Sequence, residues 1–222
     1  MGDVDAMTNK GTAVVSRQKG INWYRFAKRA QDILISAAVL LMLWPLFLLI
    51  ALVIVIDSPG AGPFFIQTRV GKDGEEFRLC KFRTMRPNAE SELEKLLPQN
   101  EMDGPVFKLK DDPRITRVGR FLRRSGLDEL PQLWNVLRGE MSIVGPRPGL
   151  PREAAQYDFF SRQRLTVKPG LTCYWQIQPN RNALDFADWM ALDVRYIREM
   201  DLLIDWKIIL ATFGAILRMD GQ

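Results

Sequence analysis

The 222-residue chain contains no histidine and has two cysteines. Without histidine there is no Ser-His-Asp triad, no Cys-His pair and little room for zinc chemistry. Cys80 and Cys173 lack metal-ligand spacing, which excludes a thiolate cluster and fits a reducing compartment. Any catalysis must therefore rest on carboxylates, cations, hydroxyls or a hard metal ion. No internal repeat or low-complexity tract is present. No helix-turn-helix, zinc-finger or RNP signature occurs either, which argues against nucleic acid as a partner. Charge of one sign does prevail: 31 Lys and Arg face 26 Asp and Glu, for a net +5. That balance suits anionic partners such as lipid headgroups or phosphates.

Long uncharged apolar runs are also scarce, and the one from Ile33 to Ile56 is the longest. A single run is too few for a multi-span lipid-phosphate transferase. It is long enough to cross a bilayer, which takes ~20 apolar residues for ~30 Å, yet Trp44-Pro45 interrupts it near the middle. Proline removes a helical hydrogen bond and clashes with the preceding turn, at ~3 kcal/mol. Each arm beside it reaches only about 18 Å at ~1.5 Å per residue, so neither crosses alone. Two readings stand: a kinked span, which is the commoner arrangement, or a re-entrant helix that returns to its starting face. Arg17, Lys19, Arg25, Lys28 and Arg29 precede the run and place the N-terminus in the cytoplasm. The run starts late and no small-residue cleavage site follows it, so a cleaved signal peptide is not expected.

The organisation that follows is a polar, disordered tail over 1–20, an interfacial and membrane segment over 21–57, and one domain over 58–222 large enough for a real core. Trp23, Tyr24 and Phe26 among cations suit an interfacial lead-in. Phe64–Val70 and Glu76–Phe82 flank Gly71-Lys72-Asp73-Gly74 and predict a β-hairpin, with Arg78 and Leu79 on opposite faces. Asn88–Leu97 reads as a short acidic helix, and Ile115–Leu122 as a helix ending at Arg123-Arg124. Leu130, Leu133, Trp134 and Leu137 have amphipathic spacing, stopped by Gly139. Gly145-Pro146-Arg147-Pro148 is a stiff loop. The C-terminal part predicts two apolar-rich helices, 186–200 and 202–219. Trp189, Trp206 and Lys207 in them suit an interface, although core packing is the commoner role.

Asp128-Glu129 opens the helix predicted around Leu133, with Pro131 in its first turn, where proline is tolerated. Taken alone, Asp128 is most simply an N-cap. Density changes that reading. Arg123 and Arg124 lie just before the pair and Arg147 follows within twenty residues. Adjacent carboxylates, a helix N-terminus and forked guanidiniums together form a phosphoryl-transfer kit. Bland roles stand beside these: Lys81 and Arg83 as solvated strand residues, Arg147 as a fork on backbone carbonyls, and Arg124 as a helix-end or headgroup contact. Tyr174 and Trp175 read as core aromatics, and Lys168-Pro169-Gly170 as a loop former.

Four ordered strings carry a resemblance: Lys81-Phe82-Arg83-Thr84-Met85, Arg123 through Leu133, Met141 through Pro148, and Lys168-Pro169-Gly170-Leu171-Thr172. Over roughly residues 25 to 218 the chain resembles the bacterial sugar transferases, the monotopic phosphoglycosyl transferases that begin polysaccharide and glycoconjugate assembly. It looks like a small-type member, without the further transmembrane helices that larger relatives carry before the catalytic unit. The resemblance implies transfer of a phospho-sugar from a nucleotide (UDP) sugar donor to polyprenol (undecaprenyl) phosphate, releasing UMP. It implies that Asp128 is the nucleophile of a covalent intermediate, that Glu129 helps hold Mg²⁺, and that Arg123 lies near the polyprenol phosphate. Arg147, Lys81 and Arg83 are implied as contacts to phosphates or nucleotide. It implies re-entry at Pro45, with the site on the cytosolic face of the bacterial inner membrane among membrane lipids, and it is compatible with a homodimer. The fold implied is α+β and mainly helical, with a small β-hairpin and interfacial amphipathic helices around the catalytic core. Gln176–Asn182 departs from the family's usual glycine before Arg-Asn, so no specificity residue is carried over there. A non-catalytic membrane scaffold of a polysaccharide assembly complex is the rival reading.

Overall fold

A computed structural model of the chain describes residues 21–179 and 181–217. The tail expected over 1–20 lies outside the described residues. The molecule is mostly helical, with two small two-stranded sheets and one long apolar N-terminal helix. That helix, α1 (Ile21–Asp57), is helical on both sides of Pro45. It is the one described helix long and apolar enough to cross a membrane.

Both ends of α1 are anchored in the globular body. Near its start, Arg29 donates to the carbonyls of Val136 and Leu137 at 2.6 and 2.7 Å. Lys28 pairs with the buried Asp205 at 2.7 Å. Asp32 accepts from the Ser142 hydroxyl and the Ile143 amide. Near its end, Ile50 and Ile54 pack on Phe82 and Leu122. The Asp57 carboxylate accepts from the Val118 amide at 3.4 Å. Between these anchorages the surface is bare and greasy: Leu41 is 78 % exposed and Leu48 62 %.

β1 (Phe64–Val70) and β2 (Glu76–Phe82) form the antiparallel hairpin, in register from Phe64↔Phe82 to Val70↔Glu76. Its turn uses left-handed Asp73 and Gly74. Leu79 is buried and Arg78 exposed, as strand alternation requires. The predicted acidic helix shrinks to α2 (Leu93–Leu96) followed by a 3₁₀ turn at Leu97–Gln99. Asn88 takes a left-handed conformation, and an α-helix does not run through it.

α3 (Arg117–Ser125) begins at Thr116, whose hydroxyl accepts from the Gly119 amide, and ends at left-handed Gly126. It therefore runs through Arg123-Arg124 instead of stopping there. The helix expected from Asp128 onward begins later: Leu127–Gln132 is a 3₁₀ turn, and α4 spans only Leu133–Arg138 before Gly139 ends it. Pro131 brings no N–H to an α-helical ladder, so the segment before it winds more tightly. Asp128 is thus not the cap of an α-helix. The predicted apolar face is corrected as well. Leu133, Asn135 and Val136 are buried, whereas Trp134 is 53 % exposed with Arg138 over its ring.

The sequence reading missed a second sheet, in which β3 (Ser142–Val144) and β4 (Gly170–Thr172) pair in parallel. All three β3 residues are buried, so no alternation marks so short a strand. The pairing brings the Gly-Pro-Arg-Pro loop against Lys168-Pro169-Gly170, with the Gly170 amide donating to Pro146 O. Gly145 and Gly170 touch where any side chain would strike backbone. α5 (Pro151–Ala154) and a 3₁₀ turn at Ser161–Thr166 follow Gly149. α6 (Phe186–Glu199), capped by Asp185, and α7 (Leu202–Leu217) close the fold. Phe77, Leu79, Val136, Met141, Tyr196 and Ile208 form the main core. Trp175 stacks on Trp189 at 4.3 Å, and Tyr174 lies edge-on to Tyr196, so these are core aromatics. Trp206 is 46 % exposed.

Gly119 of α3 packs against the Thr84 backbone so closely that an added methyl would overlap it. Gly119→Ala is expected to cost ~1–3 kcal/mol through overpacking and to lower the melting temperature in detergent. Gly62→Ala, which has nothing within 4 Å of the added carbon, should leave it unchanged.

Candidate active site

Asp128 sits in the 3₁₀ turn between α3 and α4 and is 7 % exposed. Gly126 sets up this position: its left-handed backbone ends α3 and redirects the chain, and the Glu129 amide donates back to Gly126 O. Burial pushes the Asp128 carboxyl above the ordinary range, with the neighbouring Glu129 charge adding to the effect. Three cations oppose that rise: Lys81, Arg123 and Arg147. Two carboxylates and three cations from separate segments are therefore electrostatically linked at one place.

Each cation comes from a different element. Lys81 leaves the end of β2, opposite Phe65, with its ammonium 5.3 Å from that ring. Burial and the surrounding guanidiniums of Arg123 and Arg69 lower its pKa. Arg123, on the inner side of α3, donates Nε to the Thr84 hydroxyl at 3.0 Å, and burial lowers its pKa too. Arg147 pairs through Nη1 with Glu129 Oε1 at 2.7 Å, and the Glu129 charge raises its pKa. Arg83, expected beside these, donates to the carbonyls of Gly62 and Phe64 at 2.7 and 3.1 Å. The backbone-fork role read for Arg147 thus belongs to Arg83, and Arg147 holds a carboxylate. A cleft of about 600 Å³ opens alongside, bordered by Lys81, Arg83, Thr84, Asn88, Ser91 and Arg123.

The sequence reading missed the residues that hold Arg147. Arg69 of β1 donates Nη1 to Pro148 O at 3.0 Å, and burial lowers its pKa to about 10. Arg164 donates Nη2 to Arg147 O at 2.6 Å and Nη1 to the Tyr157 hydroxyl, and pairs with Asp193 of α6 at 2.7 Å. Arg164 and Asp193 are both nearly inaccessible to solvent. The Gly-Pro-Arg-Pro loop is thus clamped on consecutive carbonyls by two buried guanidiniums. No local pattern around Arg69 or Arg164 announces this, because their partners lie far along the chain.

Among the described residues no group of three or more His, Cys, Asp or Glu converges. Mg²⁺ needs no such cage, since it keeps waters and uses one or two carboxylates together with substrate phosphates. Glu129, held through Oε1 by Arg147, offers one hard carboxylate for such a set. That carboxylate, completed by substrate phosphates and water, is compatible with a magnesium ion. Asn180, in the divergent 176–182 loop, lies outside the described residues; beside it, Arg181 donates to Gln176 O.

A family described as bacterial sugar transferase matches residues 23–219. The chain is 41% identical over 225 residues to the galactosyl transferase CpsE of Streptococcus agalactiae, covering 100% of this chain and 49% of that protein. It is 42% identical over 200 residues to the exopolysaccharide production protein ExoY of Sinorhizobium fredii, covering 88% of each. It is 40% identical over 201 residues to the undecaprenyl-phosphate galactose phosphotransferase of Salmonella typhimurium, covering 89% of this chain and 42% of that protein. The chain thus spans about half the length of CpsE and less of the Salmonella protein.

Removing one member of a buried ion pair strands the other, at ~3–5 kcal/mol. Arg164→Met is expected to lower stability by that order in denaturant titrations. The pair Arg164→Met with Asp193→Leu should recover much of the loss.

Proposed function

The chain belongs to the bacterial sugar transferase family, and from that membership and the site geometry we propose that it transfers a phospho-sugar from a nucleotide diphosphate sugar to polyprenol phosphate. The observation that carries the proposal is a buried aspartate next to a second carboxylate, set among cations from three further segments. Lys81, Arg123 and Arg147 bring the charge needed to receive a diphosphate, and their nearness keeps Asp128 anionic against its burial. By analogy with the relatives' names, the donor is a UDP-sugar and the acceptor undecaprenyl phosphate, for exopolysaccharide or glycoconjugate assembly.

In the first step an Asp128 carboxylate oxygen attacks the phosphorus that bears the sugar. The oxygen–phosphorus bond forms as the bond to the bridging diphosphate oxygen breaks, and the nucleoside monophosphate leaves with the electron pair. In the second step a phosphate oxygen of the acceptor attacks the same phosphorus. That bond forms as the aspartyl bond breaks, and Asp128 returns to a carboxylate. Arg147 holds Glu129 in place throughout through its 2.7 Å ion pair. Glu129, with the donor phosphates, would hold Mg²⁺, which supplies charge neutralisation to the diphosphate.

We place the site at the cytosolic face of the inner membrane, with α1 re-entrant. The support is geometric. Lys28, Arg29 and Asp32 at one end of the apolar run, and Ile50, Ile54 and Asp57 at the other, dock on the same body. A helix that crossed the bilayer would carry its two ends to opposite sides, and one globular body could not hold both. The bare stretch between them, around Leu41 and Leu48, is what the lipid covers.

Asp128→Asn is expected to abolish turnover and the phospho-sugar adduct seen by intact-protein mass spectrometry, with unchanged thermal unfolding; an active Asn variant removes Asp128 from the nucleophile role. Glu129→Gln should lose both rate and magnesium response. For topology, cysteines introduced as Arg25→Cys and Gly60→Cys should react with an impermeant maleimide from the same side of sealed vesicles, and labelling from opposite sides refutes re-entry.

A further inference from the structure

α3 meets the strand end after β2 at one residue, Thr84. The amide of Thr116, the helix cap, donates to Thr84 O at 3.0 Å. Gly119 follows, with no side chain to hold the helix off the Thr84 backbone. Arg123 lies four residues beyond Gly119, so the two share this face of α3. Its Nε reaches the Thr84 hydroxyl at 3.0 Å. Thr84 is 3 % exposed, and its neighbour Met85 is bridged to Ile115 just before the helix. Backbone contacts on both sides thus fix where this hydroxyl stands.

What Arg123 leaves unengaged separates it from the guanidiniums around it. Arg69, Arg147 and Arg164 each tie down at least one terminal nitrogen, on Pro148 O, Glu129 Oε1 and Arg147 O. Among the described residues Arg123 bonds through Nε alone and forms no ion pair. Yet it is half-buried and borders the cleft beside Lys81 and Arg83. Its charge has left water without a carboxylate in contact to answer it. A guanidinium held by Nε presents its two terminal nitrogens as a flat fork, which matches two oxygens of one phosphate. Without that hold the long side chain turns about its single bonds, and the fork must be ordered as the ligand binds.

We infer that Thr84 is a positioning residue of the reaction, whose hydroxyl fixes the Arg123 guanidinium so that Nη1 and Nη2 stand ready at the cleft for a substrate phosphate. This rests on the transferase reading, in which that phosphate belongs to the nucleotide donor or to the polyprenol acceptor. Thr84 acts through Arg123 and does not itself touch the substrate. A hydroxyl suits the task better than a carboxylate. Either would accept from Nε, but a carboxylate would also neutralise the charge that the phosphate is to meet. Serine offers the same acceptor, whereas valine offers a similar shape without it.

The test titrates the full chain in detergent micelles with farnesyl phosphate and with uridine diphosphate, read by calorimetry, so that no turnover is needed. Thr84→Val is expected to weaken at least one ligand on the order of tenfold, and Thr84→Ser to stay within about twofold of the parent. Weakening confined to farnesyl phosphate assigns the fork to the acceptor; weakening confined to uridine diphosphate assigns it to the donor. In an Arg123→Met background Thr84→Val should weaken binding no further, because its effect runs through that guanidinium. Should the valine protein unfold, Thr84→Ala takes its place in the same cycle. A valine protein that binds both ligands as the parent does overturns the inference. So does a serine protein as weak as the valine one, a Thr84→Val loss that persists in full beside Arg123→Met, or a parent that binds neither ligand. A parent that binds both ligands but transfers no phospho-sugar counts against the transferase reading alone, and the cycle still decides the role of Thr84.

Discussion

In the mechanism proposed for this chain a buried carboxylate has to be anionic to attack a diphosphate, and burial opposes that charge. Burial and Glu129 both push the Asp128 carboxyl toward its neutral form, while Lys81, Arg123 and Arg147 pull it back. The remaining architecture follows from meeting that condition. Cations themselves resist burial, and Lys81, Arg69 and Arg123 all have lowered pKa values because they are buried near one another. The turn at Leu127–Gln132 is thus a place where charges of both signs have left water, each made tolerable by the others.

Holding such charges in register takes a frame without play. β2 delivers Lys81, α3 delivers Arg123, and the paired strands β3 and β4 fix the loop bearing Arg147. Two glycines that a Cβ would drive into backbone, Gly119 against Thr84 and Gly145 against Gly170, lie at elements next to the site. Arg164 with Asp193 extends the frame to α6, and that ion pair connects to Glu129 through the Arg147 carbonyl and side chain. The frame is polar where it is functional and apolar behind, at Val136, Met141 and Ile208.

Much of this was legible in the chain. The hairpin from 64 to 82 matched residue for residue, because alternation and a glycine turn are local signals. The long helix, Gly139 as a stop, and the last two helices were likewise readable. The carboxylate pair stood out by the density of arginines around it; Arg123 and Arg147 do converge on it, whereas Arg124 is exposed and does not act on it. What failed was non-local. The β3–β4 pair is too short for a periodicity, and the clamp from Arg69 and Arg164 depends on partners that only tertiary structure supplies. Pro131 misled in a different way: a residue tolerated in a first helical turn instead accompanied a 3₁₀ turn, moving Asp128 from a cap into the turn itself.

The anchoring of Lys28, Arg29 and Asp32 on Asp205, Val136 and Ser142 has a consequence for the order in which the protein is made. These groups are made beside the apolar stretch of α1, and their partners are synthesised more than a hundred residues later. Until then the nascent arm carries charges whose partners do not yet exist. The later-made helix α7 therefore completes the footing of the earlier α1. Cutting away the anchor to obtain a soluble enzyme would strip the core of an integral strut, leaving the buried Asp205 with the Tyr196 hydroxyl but without its ammonium partner.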